Sequence, residues 1–332
     1  MKNDKLTELN QERKENHRKD PVEESFIEQL NNQLLEFEKN NYTDLKEEQH
    51  PTIFVIGAPR SGTTLMSQVL AHGLDVGFIN NLSARFWKTP VTGIRLSNSI
   101  FKNNKSTDFQ SNFASTKKLE DIHEFGYFWR HWLKKESITN IVNSPSIEKE
   151  IQWTELKNII LNIQEAFGKG FACKNVLSAY HISKFLHVLK KLVFVYIERD
   201  PVDAAISIHN ARKKYYTDLN LWWSYVPLEY EQIKDLDYKR QIAGQVYFLT
   251  KYYNSKIKEI NSNRIIRIKY KELCDNPQAI LDTIVKVTRK ELDYELKIND
   301  DFPEKFEYKT YHQSELRNEF ENLLNEFQED DK

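Results

Sequence analysis

A short apolar run that leads into a glycine-containing turn is the most constraining feature of this chain. Residues 53–56 read Ile-Phe-Val-Ile, residues 57–64 read Gly-Ala-Pro-Arg-Ser-Gly-Thr-Thr, and residues 63–74 suit a helix. The apolar run predicts a buried strand, and the glycines predict a turn that approaches a bound group closely. Backbone N–H groups and a helix N-terminus in such a unit face an anion. The sequence therefore predicts a phosphate-binding loop.

Three further β-rich runs follow along the chain. They lie at residues 170–174, 192–198 and 265–270, and helical stretches of crossover length separate them. Strands that alternate with helices in this way indicate a parallel sheet. The predicted fold class is α/β, a three-layer parallel sheet with helices on both faces and a P-loop-like nucleotide-binding core.

Composition limits the kinds of partner. The 332 residues can bury one sizeable core, and 39% of them are hydrophobic. The formal net charge of −1 lacks the basic excess of a nucleic-acid binder, so we expect no nucleic acid and only a local anion site. The longest apolar runs fall far below the roughly 20 residues of a membrane span. With no apolar block after Met1, we expect a cytoplasmic protein without an integral membrane span.

The first 50 residues are mostly charged or amidic. Four apolar side chains recur there at helical spacing, namely Phe26, Leu30, Leu34 and Phe37. They predict one amphipathic helix that packs on the main domain or mediates oligomerisation, and a homo-oligomer stays open. We therefore divide the chain into a charged helical extension, residues 1–50, and a main domain, residues 51–332.

The glycine loop differs from the loop of nucleotide triphosphatases. The pattern G-x-x-x-x-G-K-[ST] is matched except that Thr63 stands at the lysine position. A cation is present at Arg60 instead, with hydroxyls at Ser61, Thr63 and Thr64 and a second glycine at Gly62. An arginine suits a phosphate and an attached group without Mg²⁺ between them, so we expect no metal.

A second anion element follows the run at 192–198. Asp200 is a good N-cap and Pro201 a good first residue for the next helix. Arg199 then lies at the carboxyl end of a parallel strand, where ligands bind in open α/β sheets. Ser207 follows Arg199 by eight residues.

Both elements, in this order, resemble the sulfotransferase family. The loop at 57–64 looks like its 5′-phosphosulfate-binding loop, and Arg199 with Ser207 looks like its 3′-phosphate-binding element. Residues 264–277 are similar to the late strand, tyrosine and D-x-P helix start of that family, so the resemblance covers roughly residues 51–290. It identifies residues 51–332 as the catalytic domain.

The resemblance implies an activity and a co-substrate. The activity is transfer of a sulfuryl group from 3′-phosphoadenosine 5′-phosphosulfate (PAPS) to a hydroxyl of a carbohydrate, lipid or secondary metabolite, with 3′-phosphoadenosine 5′-phosphate (PAP) as product. The partner is thus a small-molecule or glycan acceptor. The implied nucleotide-binding residues are Arg60, Ser61, Gly62, Thr63, Thr64, Arg199 and Ser207. A basic C-terminal loop often touches the 3′-phosphate in this family; its motif is missing here, and Arg317 or His312 are the candidates.

Sulfuryl transfer needs charge stabilisation and a base for the acceptor hydroxyl. The resemblance gives Arg60 the first role. The candidates for the base are His123 and Glu124, which adjoin an aromatic block. Imidazole titrates near neutrality, which slightly favours His123. The alternative is that both are solvated helix residues or partners in a structural salt bridge.

Lys174 closes a predicted strand. The resemblance implies that a lysine near the end of this strand faces the active site and neutralises charge on the sulfuryl group. We interpret His181 as a packing or surface histidine.

Other interpretations stay open. A P-loop kinase-like enzyme would need the loop lysine and a Mg²⁺-holding carboxylate, whereas a non-catalytic nucleotide-binding protein would have nearly the same sequence. Aromatic residues near the predicted site form either an acceptor wall or core. They are Tyr127, Phe128, Trp129, Trp132, Trp222, Trp223 and Tyr225.

Overall fold

A computed structural model gives the architecture. It describes residues 8–45, 47–101, 118–135, 137–138, 144–299, 302–311 and 314–330. The strands are β1 (Thr52–Ile56), β2 (Gly77–Phe78), β3 (Phe171–Lys174), β4 (Leu192–Glu198) and β5 (Ile265–Lys269). In these residues they form one five-stranded sheet in the order β2-β3-β1-β4-β5, and every neighbouring pair is parallel.

Helices connect and cover the strands. They are α1 (Glu8–Gln11), α2 (Pro21–Asn40), α3 (Thr63–Gly73), α4 (Pro90–Phe101), α5 (Gly126–Trp132), α6 (Pro145–Glu150), α7 (Trp153–Phe167), α8 (Ile182–Val188), α9 (Pro201–Tyr215), α10 (Tyr230–Ile233), α11 (Tyr238–Ile260), α12 (Tyr270–Asp275), α13 (Pro277–Leu292) and α14 (Glu315–Asp330). Short 3₁₀ segments lie at Glu15–His17, Ser83–Arg85 and Val176–His181. None of the described helices combines the length and apolar character that a membrane crossing requires.

The central strand shows why the sheet is buried on both faces. All five residues of β1 are buried, and their side chains alternate between two apolar clusters. Phe54 and Ile56 pack into one cluster, whereas Ile53 and Val55 pack into the other. A parallel strand with helices on both faces of its sheet needs apolar side chains on both sides, so polar and apolar residues do not alternate along it. The predicted α/β fold class is confirmed.

The amphipathic helix predicted in the N-terminal region forms as α2, but its contact face differs from the expected one. Phe26 and Phe37 are 61% and 56% exposed, while Asn31 and Glu38 are buried. The Glu38 carboxylate accepts hydrogen bonds from the backbone N–H groups of Val91 (2.8 Å) and Thr92 (2.9 Å) at the start of α4. Because these orphan donors need acceptors, a polar side chain holds α2 against the domain.

Candidate active site

The loop between β1 and α3 is shaped by unusual backbone angles. Gly62 caps α3 with a φ of 108°, and a Cβ there would lie 2.3 Å from the Tyr270 ring. Glycine is therefore required at this position by both conformation and space. Arg60 adopts a φ of 68°. Left-handed backbone is uncommon in non-glycine residues and often marks a functional site.

Two buried tyrosines hold the first residue of the loop. The Tyr225 hydroxyl donates to the Gly57 carbonyl oxygen at 2.8 Å, and the Tyr253 hydroxyl lies 3.4 Å from the same oxygen. The two hydroxyls are 2.9 Å apart. Since Tyr225 and Tyr253 are 9% and 0% exposed, the loop leaves β1 in a fixed direction.

The two anion elements predicted from the sequence meet in the structure. The Arg60 Nε donates to the Ser207 Oγ at 2.9 Å, across 147 residues of sequence. The Arg199 Nη1 donates to the Arg60 carbonyl oxygen at 3.2 Å, and its guanidinium lies 4.8 Å from the Tyr270 ring centroid. Burial, followed by the positive charge of Arg199, lowers the pKa of Arg60. Two neighbouring arginines beside a helix N-terminus form a site that favours an anion.

Buried polar atoms at this junction lack a protein partner. Within the part of the chain that the structure describes, neither the Ser61 Oγ nor the Arg199 Nε has a hydrogen-bond partner. Buried polar atoms are usually satisfied, so orphaned ones need an explanation. A phosphate beside the loop would accept hydrogen bonds from both. These residues therefore fit a phosphorylated nucleotide.

The candidate base and the strand-end lysine also lie together. The Lys174 Nζ, on a side chain that is 10% exposed, forms an ion pair with the Glu124 Oε1. The Glu124 side chain is 38% exposed, so its carboxylate also faces solvent. The negative charge of Glu124 acts on Arg60, where it raises the pKa against burial. The structure thus brings Glu124 and Lys174 together at the end of β3, beside the end of β1 that leads into the loop with Arg60.

His123 has a different environment from its neighbour. Its Nδ1 accepts a hydrogen bond from the Phe125 backbone N–H at 2.9 Å. Its own backbone N–H donates to the Ile79 carbonyl oxygen at 2.8 Å. Burial lowers the pKa of His123 below its ordinary value. A neutral imidazole has one unprotonated nitrogen. In His123 this nitrogen is Nδ1, which already accepts the hydrogen bond from Phe125.

Comparison with known proteins identifies the family of this chain. A family model described as the sulfotransferase family matches residues 51–293. The chain belongs to the sulfotransferase family. It is similar in structure to sulfotransferase STF9 from Mycobacterium avium, with 11% identity, a TM-score of 0.53, and coverage of 92% of this chain and 78% of that chain. It is also similar to sulfotransferase STF1 from Mycobacterium tuberculosis H37Rv, with 14% identity, a TM-score of 0.48, and coverage of 79% and 72%. None of the curated proteins matches it.

The C-terminal segment of this sulfotransferase lies against the start of α9. The buried Asp203 carboxylate accepts from the Tyr311 N–H at 3.1 Å and from the Arg317 Nη1 at 3.0 Å. The Arg199 Nη2 donates to the Lys309 carbonyl oxygen. Arg317 is thus held by a carboxylate, and its expected contact with a 3′-phosphate stays a prediction. His312 lies outside the described residues.

Most of the aromatic residues singled out above belong to the core of this sulfotransferase. Phe128, Trp129, Trp222 and Tyr225 are at most 9% exposed, while Tyr127, Trp132 and Trp223 are half-buried.

His181 is 7% exposed, and its ring lies 5.6 Å from that of Trp153. Burial lowers the pKa of His181 to about 3, so its ring stays neutral. The described residues contain no cluster of His, Cys, Asp or Glu that could hold a metal.

Several positioning residues of this sulfotransferase were not found from the sequence. Tyr253, which braces Gly57, lies in the middle of α11 without any motif around it. Lys309 acts through its carbonyl oxygen, so no side-chain pattern could indicate it. Asp203 carries a weak signal, an acid in the first turn of α9, but that position is explained equally well by the helix dipole.

Proposed function

We propose that this sulfotransferase transfers a sulfuryl group from PAPS to a hydroxyl of a carbohydrate, lipid or secondary metabolite. The observation that carries the proposal is the junction at Arg60, which joins the glycine loop to Arg199 and Ser207. Two buried polar atoms at this junction, the Ser61 Oγ and the Arg199 Nε, have no partner among the residues that the structure describes. One loop suffices for a 5′-phosphate. A second anchor at the end of β4 suits a nucleotide that carries another phosphate.

Each element has a part in nucleotide binding. The backbone N–H groups after Gly62, with the hydroxyls of Ser61, Thr63 and Thr64, hold the 5′-phosphosulfate at the start of α3. Arg199 and Ser207 hold the 3′-phosphate. The Ser207 Oγ accepts from Arg60 and therefore keeps its own hydrogen to donate.

The chemical step uses the remaining groups. The acceptor oxygen attacks the sulfur as the bond from sulfur to the phosphate oxygen breaks, and the hydroxyl proton passes to a base. Glu124 is the proposed base, because its carboxylate faces solvent whereas the Nδ1 of His123 already accepts a hydrogen bond. Lys174 positions Glu124, and together with Arg60 it stabilises the negative charge that develops on the transferring and leaving oxygens.

The alternatives have less support. A kinase-like reaction on a nucleoside triphosphate would use a loop lysine, and Thr63 occupies that position. A non-catalytic nucleotide-binding protein would have no need for the Lys174–Glu124 ion pair beside the loop. The cytoplasmic location and a homo-oligomer remain predictions, as does the division into residues 1–50 and 51–332.

Arg199→Ala should weaken PAP binding by about 2–3 kcal/mol, because it removes a charge-assisted contact to the 3′-phosphate. The affinity for AMP should change little, since AMP lacks that phosphate. Calorimetric titration of both nucleotides measures the difference. Arg289→Ala, an exposed arginine on α13 that pairs with Glu295, is the matched control and should bind both nucleotides as the unmodified protein does. Equal losses for PAP and AMP would refute the role given to Arg199.

A further inference from the structure

The N-terminal segment from Arg13 to Glu24 contacts two helices of the main domain, α9 near its beginning and α5 further along. Near α9, the Lys14 backbone N–H donates to the Tyr215 carbonyl oxygen at 2.9 Å, and the Lys14 Nζ donates to the Lys213 carbonyl oxygen at 2.8 Å. Near α5, the Lys19 Nζ donates to the Tyr127 hydroxyl at 2.6 Å. We call residues 13–19 the strap.

Each end of the strap is held by a helix next to residues of the site. Lys19 binds Tyr127, which follows Glu124 by three residues. Lys14 binds Tyr215, which follows Ser207 by eight residues on α9.

Burial raises the pKa of Tyr215, the charges of Arg13 and Arg60 lower it, and the charge of Glu124 raises it further. Charges of the strap and of the reacting groups therefore both act on the Tyr215 hydroxyl. At the other end, the charge of Lys19 acts on His123 next to Glu124.

The surroundings of Tyr215 are positively charged. The Arg13 guanidinium lies 5.6 Å and the Lys214 Nζ 5.7 Å from the Tyr215 ring centroid. Burial and three neighbouring cations, of which Lys214 acts most strongly, lower the pKa of His17 in the strap.

The carboxylates of Glu15, Asp20 and Glu24 lie in the strap or directly after it, and each of them either forms hydrogen bonds or is exposed. Asp20 caps α2 through the Val22 N–H at 2.8 Å, and Glu24 binds Tyr127 and Lys19. Glu15 is exposed in the strap.

Arg13 has an unused donor at this place. Its Nε is buried and has no hydrogen-bond partner among the described residues. A buried donor of a guanidinium is best satisfied by an anion, and a bidentate carboxylate, sulfate or phosphate fits it.

Resting on the sulfotransferase function proposed above, we propose that the strap forms the acceptor-side wall of the active site and that Arg13 binds a negatively charged group on the acceptor. The acceptor class is then a hydroxyl compound that also carries an anionic substituent. Glu124 would take the proton from the hydroxyl, while Arg13 fixes the opposite end of the same molecule.

Matched pairs of probes test this inference. The probes are 4-hydroxyphenylacetate and its methyl ester, and methyl glucuronide and its methyl ester. Within each pair the ester lacks the negative charge and carries one additional methyl group. Each is titrated into the protein saturated with PAP. We expect the unmodified protein to bind one of the two acids about 10- to 100-fold more tightly than its ester, the order of a charge-assisted hydrogen bond. The pair that shows the preference identifies an aromatic or a sugar acceptor.

Variants assign the preference to Arg13. Arg13→Gln should remove the preference without changing PAP affinity, and Arg13→Lys should restore part of it. Arg95→Gln, a surface arginine on α4 that contacts Asn41, is the control and should keep it in full. If the unmodified protein binds PAP but prefers neither acid, or if Arg13→Gln keeps the preference, the inference is wrong and the proposed function stands. If the unmodified protein does not bind PAP, the proposed function fails and the inference fails with it.

Discussion

Glu124→Gln should lower the turnover of sulfuryl transfer by about 10²–10⁴-fold, the contribution of a positioned base. The amide keeps the shape of the side chain but cannot accept the acceptor proton, and the ion pair with Lys174 is lost. The measurement is labelled sulfate reaching a confirmed acceptor at saturating PAPS. The affinity for PAP should stay within about threefold, because Glu124 does not hold the nucleotide in this scheme.

His123→Ala supplies the comparison for Glu124. Since the Nδ1 of His123 accepts from the Phe125 N–H, this variant should lose less turnover than Glu124→Gln and act by loosening the position of Glu124. Glu155→Gln, in the first turn of α7, controls for loss of a carboxylate elsewhere. A larger loss in His123→Ala would reverse the assignment of the base. Near-normal turnover in both variants would exclude His123 and Glu124 as the base and leave Lys174, His181 and His312 to be tested.

Arg60→Ala should lower turnover by about 10²–10³-fold, the cost of removing one preorganised donor from a developing charge. The loss in PAP affinity should be smaller, because the loop amides, Arg199 and Ser207 still hold the nucleotide. Single-turnover kinetics and calorimetric titration separate the two effects. Since Arg60 has left-handed backbone angles, the thermal unfolding midpoint of each variant must be compared with that of the unmodified protein.

Two further variants make the Arg60 result interpretable. Arg60→Lys retains a positive charge but not the planar donor set, so it should recover only part of the turnover. Arg95→Ala on α4 should behave as the unmodified protein does. An affinity loss that accounts for all of the activity loss would make Arg60 a phosphate clamp without a role in transfer.

The parts of the fold with a strong local pattern could be predicted from the sequence. The runs at 53–56, 170–174, 192–198 and 265–270 correspond to β1, β3, β4 and β5. The strands β1, β3 and β4 are almost wholly buried, as covered parallel strands require, whereas β5 at the sheet edge alternates between buried and exposed residues. The strand β2 contains only Gly77 and Phe78 and pairs with β3 at the sheet edge. Two residues carry no periodicity, so pairing alone defines this strand.

The contacts that position the site depend on residues far apart in the chain. Tyr225 and Tyr253 meet Gly57 across 168 and 196 residues, and neither tyrosine stands in a recognisable pattern. Helix α2 was predicted from its apolar spacing, yet buried polar atoms of Asn31 and Glu38 make its contacts. Sequence periodicity reports apolar burial, and it cannot report hydrogen bonds to a distant backbone.

The central claim is that this site binds a nucleotide with phosphates at both its 5′ and 3′ ends. Calorimetric titration with PAP, AMP and Mg·ATP tests that claim most directly. The titrations with PAP and AMP are repeated in the presence of a chelator of Mg²⁺. PAP should bind at least about 10-fold more tightly than AMP, the worth of one charge-assisted contact, and the chelator should not change its affinity. Equal or tighter binding of AMP, or tight binding only of Mg·ATP, would contradict the claim.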